Sequence, residues 1–244
     1  MNEIVLNAVG VSKLFPGVRA LDHVDFDLRA GEVHILVGEN GAGKSTLSKV
    51  LLGMYAPNAG KLILNGQEVQ FHSPLDALNK GIVGVYQELT LIPYLSVAEN
   101  IFLNREDLTR FHTLDKKKIQ KKAKEILNSL NCDDIDVTQI VHNLSVAQQQ
   151  LVEIAKALSY KPKIIVFDEP TSSLSNKEVE SLFVQINKLK KAGLGIVYIS
   201  HRMEEFPLIG DRITVMRDGL VIDTFDIAEH TQDEIVNMMV ARRS

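Results

Sequence analysis

A glycine-rich segment at residues 38–45 carries the residue types that bind phosphate groups. It reads Gly-Glu-Asn-Gly-Ala-Gly-Lys-Ser and matches the P-loop pattern G-x-x-x-x-G-K-[ST] in full. In this motif, glycines let backbone N–H groups surround the phosphates, and the N-terminus of the following helix adds positive potential. We therefore predict that Lys44 reaches the β- and γ-phosphates of a nucleotide and that the Ser45 hydroxyl can bind Mg²⁺. The predicted nucleotide-binding residues of this segment are Gly38, Asn40, Gly41, Ala42, Gly43, Lys44, Ser45 and Thr46.

The sequence on both sides of the P-loop supports this prediction. A dense apolar run at residues 33–37 precedes the glycines and predicts a buried strand. Apolar residues at helical spacing follow them, namely Leu47, Val50, Leu51 and Met54. A glycine turn that only caps a helix would need neither Lys44 nor Ser45 in register with a strand and a helix.

Two acidic residues, Asp168 and Glu169, follow directly on the apolar run at residues 164–167. This order places them at the C-terminal edge of a sheet, where α/β folds bind ligands. Phosphoryl transfer depends on positioning and charge neutralisation, so one carboxylate can hold Mg²⁺ while the other orients and polarises the attacking water. We assign the metal role to Asp168 and the water role to Glu169. Alone, such a pair would equally suit a helix-capping loop; beside a complete P-loop it predicts a catalytic site.

Apolar periodicity predicts the elements that must position these residues. Near the start, Val24, Phe26 and Leu28 alternate with polar residues, which is typical of half-buried antiparallel strands. Later buried strands are separated by helical patterning, which predicts a largely parallel sheet with crossover helices. Their ranges are 164–167 and 195–199. The C-terminal part returns to strand pattern at 213–216. A further strand at 220–224 follows the turn Asp218-Gly219, and Thr231 is a predicted N-cap of the closing helix.

Between Gln87 and about Lys163 the strand signal disappears and helical patterning takes over. We therefore predict one domain over residues 1–244, with 1–87 and 164–244 forming the β edge and P-loop core and about 88–163 forming an inserted helical subdomain. A basic run at residues 116–124 lies opposite an apolar helical stripe and contains no aromatic residue. A solvated helix face explains this run better than a nucleic-acid patch does.

Composition excludes several other classes of protein. The chain has 244 residues, 45% of them hydrophobic and 24% charged, which suits a packed globular domain. The net charge of -4 gives no whole-surface attraction to nucleic acid or anionic lipid. Cys132, the single cysteine of the sequence, excludes an intrachain disulfide and a cysteine-rich zinc module. The sequence has no run long enough to predict a membrane span and no signal-peptide pattern at its start.

Taken in order, these motifs and several others resemble the ATP-binding subunit of an ABC transporter over essentially the whole chain. An aromatic residue, Phe15, precedes the P-loop, Gln87 follows a strand, and His201 follows the strand at 196–200. A signature-like segment, Leu-Ser-Val-Ala-Gln, occupies residues 144–148, and a D-loop-like segment occupies 172–175. The segments 95–103 and 195–205 further resemble the first of the two ATPase halves of ribose- and galactose-type sugar importers.

The resemblance implies a fold, an activity and a set of partners. The fold is the α/β, ABC-type P-loop core with an antiparallel β edge and an inserted α-helical subdomain. The activity is hydrolysis of Mg-ATP that drives import of a sugar-like solute at the cytoplasmic face of the cell membrane. The implied partners are transmembrane permease subunits, a second ATPase domain and, indirectly, an extracytoplasmic solute-binding protein, with no nucleic acid. The sequence ending at 238–244 is where such a first half would end, so the second domain could be the C-terminal half of a longer chain.

The resemblance also assigns roles to individual residues. It implies that Phe15 stacks on adenine, that Gln87 contacts Mg²⁺ and couples to the membrane subunit, and that His201 contacts the γ-phosphate. Ser145 and Gln148 are the signature residues expected to contact nucleotide. For metal, the implied set is Ser45, Gln87 and Asp168, and for catalysis it is Glu169 and His201.

Two segments depart from the family pattern. The family signature is Leu-Ser-Gly-Gly-Gln, and Val146 and Ala147 stand where its glycines would be. Ser175 stands where the D-loop usually has aspartate. Both changes weaken what this chain offers to an opposing nucleotide. The alternative function, a soluble ABC ATPase acting on the ribosome or on nucleic acid, would call for a long coiled coil or an interdomain linker, and neither pattern is visible in the sequence.

Overall fold

The computed structural model describes residues 3–105 and 113–240. The segment 241–244, which contributes to the expectation of a tandem chain, lies outside these residues. The strands are β1 (Ile4–Phe15), β2 (Val18–Arg29), β3 (Val33–Val37), β4 (Ala59–Leu64), β5 (Gln67–Val69), β6 (Ile82–Val85), β7 (Ile164–Asp168), β8 (Gly195–Ile199), β9 (Arg212–Arg217) and β10 (Leu220–Asp226). The helices are α1 (Lys44–Leu51), α2 (Pro74–Asn79), α3 (Val97–Ile101), α4 (Lys116–Ser129), α5 (Val146–Leu158), α6 (Asn176–Lys191), α7 (Phe206–Ile209) and α8 (Gln232–Val240).

Within the described ranges the strands form two sheets. A six-stranded sheet has the order β10-β9-β3-β8-β7-β6, and a four-stranded sheet has the order β2-β1-β4-β5. In the larger sheet β9, β3, β8, β7 and β6 run parallel, and β10 pairs antiparallel with β9. The smaller sheet is antiparallel throughout. The predicted α/β class with an antiparallel β edge is therefore confirmed.

The central strands consist mostly of apolar residues because both of their faces are covered. Every residue of β3 and of β8 is buried, as expected for parallel strands between two layers. One face packs against the helices, with Ile35 and Tyr198 in that core. The other face packs against α1 and the antiparallel sheet, with Leu36 and Val197 in the second core. This sandwich holds the C-terminal ends of the parallel strands in fixed register.

A buried polar cluster joins the two sheets. Arg212 of β9 donates to both carboxylate oxygens of Asp27 of β2, at 2.6 and 2.8 Å. Nδ1 of His34 lies 2.7 Å from the carbonyl oxygen of Asp27 and donates to it. Burial lowers the pKa of His34 to about 3, so the ring is neutral, and its Nε2 accepts from the Thr214 hydroxyl at 2.7 Å. The antiparallel edge is thereby fixed against the core that carries the P-loop.

The helical elements α3, α4 and α5 lie between β6 and β7 in the chain. In α4 the side chains of Ile119, Ala123 and Leu127 are buried, and they pack with residues of α3 and α5 in one core. The lysines that α4 carries are exposed or half-buried. One detail of the sequence-based expectation is wrong: α1 ends at Leu51, so Met54 falls outside the helix and is 38% exposed.

A candidate nucleotide-binding site at the edge of the parallel sheet

The P-loop connects β3 to α1 and is shaped by two glycines. Gly38 has φ of 152°, and a Cβ there would lie 2.2 Å from the carbonyl oxygen of Met216. Gly43, at the start of α1, has φ of 104°, and a Cβ there would lie 2.7 Å from the carbonyl oxygen of Ala20. Only glycine combines these backbone angles with so close an approach. The loop is therefore packed closely against the backbone of Met216 and Ala20.

Lys44 is the cation of this site. Its side chain is buried, and its Nζ donates to the carbonyl oxygens of Gly38 at 2.8 Å and Glu39 at 3.0 Å. Burial lowers the pKa of Lys44, while the nearby Glu169 and Asp168 carboxylates act to raise it. The ammonium group thus sits between the loop and the acids, where phosphate oxygens can replace the carbonyls as its acceptors.

The two acids lie at the end of β7, next to β8. Burial, followed by the adjacent Glu169 carboxylate, raises the pKa of Asp168. Such an acid gains most from a cation placed beside it. Glu169 has φ of 49°, an uncommon angle for a residue with a side chain, and its N–H donates to the carbonyl oxygen of Ile199 at 2.9 Å. Local strain of this kind clusters at functional sites.

His201 completes the cluster. It follows β8, and its Nδ1 lies 3.2 Å from Oε1 of Glu169. Its side chain is 59% exposed, whereas that of Glu169 is 22% exposed. His201 therefore faces the open side of the site while contacting the acid that the sequence assigns to water activation.

The structure brings some of the predicted residues together and leaves others apart. Gln87 is exposed and follows β6, whose Val85 pairs with Phe167, so it lies at the same sheet edge as the acids. The half-buried Phe15 packs edge-on against Tyr55, with ring centroids 5.3 Å apart. Ser145 and Gln148 bond to each other at the start of α5. Among residues 3–105 and 113–240, no hydrogen bond joins Phe15, Ser145 or Gln148 to the P-loop.

The donor set suits Mg²⁺ rather than a metal with an all-protein cage. In the described part of the chain, no group of three or more His, Cys, Asp or Glu side chains could hold a metal ion. Mg²⁺ is commonly held by one or two carboxylates together with substrate phosphates and waters. The hydroxyl of Ser45, the amide of Gln87 and the half-buried carboxylate of Asp168 are oxygen ligands of this kind.

A cavity elsewhere in the molecule is not part of this site. It has a volume of about 760 Å³ and lies at the N-terminal ends of β3 and β9. Its lining residues include Glu32, Asp211 and Asp226. Its lining mixes these acids with Arg29, Arg212 and His230 and includes no residue of the P-loop. The nucleotide site is therefore assigned from the P-loop and its partners and not from cavity size.

Sequence patterns did not single out two buried acids near the site. Glu153 of α5 accepts hydrogen bonds from the backbone N–H and the hydroxyl of Thr90, three residues after Gln87. Glu205 accepts from the hydroxyls of Tyr198 and Ser200. Neither acid belongs to a local sequence motif. Only their side-chain contacts in the folded chain therefore identify them.

The P-loop, the two acids at the end of β7 and the histidine after β8 together define a nucleotide-binding site of the P-loop ATPase class. The sequence model of the family described as ABC transporter matches residues 21–172. The chain belongs to the ABC transporter family, as an ATP-binding cassette.

Relatives and solved structures agree with this assignment. The chain is 52% identical over 239 residues to a "Putative ribose/galactose/methyl galactoside import ATP-binding protein 1" of Agrobacterium fabrum, covering 98% of this chain and 47% of the relative. It is 51% identical over 242 residues to a "Ribose import ATP-binding protein RbsA" of Rhodopirellula baltica. This match covers 99% of this chain and 47% of the relative. The chain thus spans about half the length of the curated relatives it matches. A solved ATP-binding cassette of an ABC transporter in its ADP conformation superposes with a TM-score of 0.83 at 26% identity, covering 98% of this chain and 96% of that one.

Proposed function

We propose that this chain binds and hydrolyses Mg-ATP and drives import of a sugar or sugar-like solute. The observation that carries the proposal is the meeting of Lys44, Asp168, Glu169 and His201 at one sheet edge, beside the N-terminus of α1. Lys44 and the two acids supply charges that phosphoryl transfer requires, and His201 contacts one of these acids.

The roles follow from the contacts. Lys44 exchanges its bonds to the P-loop carbonyls for the β- and γ-phosphate oxygens, and backbone N–H groups at the start of α1 bind the same phosphates. Ser45, Gln87 and Asp168 would hold Mg²⁺, which neutralises phosphate charge when bound. Glu169 accepts a hydrogen bond from the attacking water and orients it, and His201 contacts the γ-phosphate from the open side. Phe15 supplies a ring for the adenine base.

Import of a solute across a membrane requires a membrane-spanning partner in this proposal. Among the described residues no helix is long and apolar enough to cross a bilayer. A cleft between the core and the helical segment is lined by Tyr86, Thr90 and Tyr160 among others. We assign this cleft to a cytoplasmic segment of a transmembrane permease, since it adjoins Gln87. The chain would then sit at the cytoplasmic face of the membrane, served indirectly by an extracytoplasmic solute-binding protein.

The relatives support the sugar-import reading over the nucleic-acid alternative. Their names describe ribose, galactose and methyl galactoside import. They are also about twice as long as this chain, which supports a second ATPase domain as the natural partner, within the same polypeptide or beside it. Glu169 and the P-loop of this chain would act opposite the signature of that second domain.

The test is the identity of what purifies with the tagged protein from membranes and cytosol of its own cell. We expect a polytopic membrane protein in a complex whose ATPase rate rises when a solute-loaded binding protein is added. Capture of RNA or ribosomes in place of a membrane protein would contradict the import function while leaving the ATPase assignment intact.

A further inference from the structure

A buried carboxylate, Glu205, lies beneath the turn that carries His201. Glu205 is 1% exposed and ends a short 3-10 turn, Met203–Glu205, just before α7. One of its oxygens, Oε2, accepts from the phenol of Tyr198 at 2.8 Å and from the hydroxyl of Ser200 at 2.8 Å. Tyr198 and Ser200 are themselves buried, at 0% and 2% exposure. The three side chains form a buried polar group beside the turn, and the Tyr198 phenol also contacts the buried Thr171.

The Ser200 hydroxyl links this group to the catalytic turn. Its oxygen also accepts from the backbone N–H of Arg202 at 3.0 Å, which closes a turn across His201. Ser200 can accept from Arg202 and donate to Glu205 simultaneously, because a hydroxyl has one proton and two lone pairs. Glu205 therefore fixes the direction of the Ser200 proton, and Ser200 fixes the backbone on both sides of His201.

This arrangement costs folding free energy, which a role in holding the turn around His201 would explain. The second oxygen of Glu205, Oε1, is buried with no hydrogen-bond partner, and Nε of Arg202 lies 3.5 Å from it. A buried, incompletely paired carboxylate destabilises a fold. Burial, with the Glu205 carboxylate next in importance, raises the pKa of Tyr198 well above its usual range, so this phenol stays a donor.

We propose that Glu205 is a positioning residue for ATP hydrolysis, which holds Ser200 so that the turn presents His201 to Glu169 and to the γ-phosphate. The proposal rests on the proposed function, since it assumes that His201 takes part in hydrolysis. Glu205 acts only through Ser200 and touches no reacting atom. Its loss therefore lowers kcat and leaves ATP binding through Lys44 and Ser45 unchanged.

The principal variant is Ser200→Ala, which deletes the hydroxyl and leaves the buried volume almost intact. We expect kcat for Mg-ATP to fall about tenfold or more, because small displacements of a catalytic group cost large factors in rate. KM and the equilibrium affinity for ATP should stay within about twofold. Glu205→Leu should give the same split, and Glu205→Gln, which keeps an acceptor oxygen for both hydroxyls, should recover part of the rate.

Glu204→Gln is the matched control. Glu204 is the neighbouring acid, its side chain is 67% exposed, and it also pairs with Arg202 Nε, at 3.1 Å. Its variant should hydrolyse ATP at the unmodified rate. His201→Ala is the reference for the loss of the histidine itself, and it separates the two proposals.

Three results would overturn the positioning role. The first is a rate collapse in His201→Ala with an unchanged kcat in Ser200→Ala, which would leave the proposed function standing. The second is a fall in kcat, ATP affinity and folded fraction in the same proportion, since that is what a purely structural role produces. The third is an unchanged kcat in His201→Ala, which would remove both this role and the catalytic assignment of His201.

Discussion

The polar groups of this chain are paired differently on its P-loop side and on its signature side. The P-loop side comprises residues 38–45 with Asp168, Glu169 and His201, and the signature side comprises residues 144–148. On the P-loop side, Lys44 is buried between carbonyls and carboxylates, and Glu169 is held at a strained angle against His201. On the signature side, Ser145 and Gln148 satisfy each other: the Ser145 hydroxyl accepts from the Gln148 N–H at 3.2 Å, and the Gln148 amide oxygen accepts from the Ser145 N–H at 3.1 Å. The polar groups of the P-loop side are arranged to bind a ligand, whereas those of the signature side cap helix α5.

The glycine positions of the signature sharpen this contrast. Val146 is 45% exposed at the first position of α5, where a β-branched side chain replaces bare backbone. Glycine allows a backbone to approach a ligand, and helix N-termini bind anions through their N–H groups, so Val146 and Ala147 shield such a surface. The retained Ser145 and Gln148 form a capping box, which is a structural reason for their presence. A chain with this asymmetry suits a partner domain whose own signature is intact.

Glu169→Gln should give the largest effect and tests the P-loop side. The substitution keeps size and hydrogen bonding but removes the charge that polarises the attacking water. We expect hydrolysis to fall by about 100-fold or more, with ATP affinity retained. Single-turnover hydrolysis and equilibrium binding of ATP measure the two quantities. Hydrolysis at the unmodified rate would assign the role to another residue.

Lys44→Ala should give the next largest effect. It removes the cation that lies between the P-loop and the acids, a charge-assisted contact worth about 1.5–3 kcal/mol, or roughly tenfold or more in affinity. Titration with ATP in the presence of Mg²⁺ measures the loss. Lys61→Ala, on the antiparallel sheet, is the control and should bind as the unmodified chain does. Equal affinity in Lys44→Ala would contradict the phosphate-binding role.

Restoring the signature glycines tests the other side with a smaller expected effect. In Val146→Gly combined with Ala147→Gly, ATP-dependent self-association should strengthen by roughly fivefold, the equivalent of about one recovered hydrogen bond. Sedimentation of both proteins in ATP measures this change. Val184→Gly, at an exposed position of α6, controls for the loss of helix propensity. Unchanged association would mean that these side chains do not obstruct closure.

The sequence predicted the parts of this molecule that depend on local pattern. Buried runs located β3, β7 and β8 because both faces of a parallel sheet are covered, and the P-loop pattern located Lys44 because its chemistry requires fixed spacing. The α/β class and the family assignment follow from the same signals. The sequence pattern did not predict that α1 ends at Leu51, because Met54 continues the helical spacing of apolar residues. Gly53, which has a positive φ, lies between these two residues.

Contacts between distant elements could not be predicted in this way. Glu205 and Glu153 are ordinary helix-type acids in the sequence, and their burial against Ser200 and Thr90 depends on how separate elements pack. The capping box at Ser145 has a local pattern, Ser-x-x-Gln. The family resemblance predicts nucleotide contact for the same two residues. The domain boundaries at 87 and 164 and the ligand roles of Phe15, Gln87, Ser145 and Gln148 stay predictions.

The central claim is that this chain has a complete P-loop side and an impaired signature side. The most direct test measures the mass of the Glu169→Gln chain in saturating ATP, together with the ATPase rate per unmodified chain against its concentration. We predict one ATP bound per chain, a monomer as the main species, and a slow rate that depends little on concentration. A tight ATP-dependent homodimer, with fast turnover that rises steeply with concentration, would contradict the account.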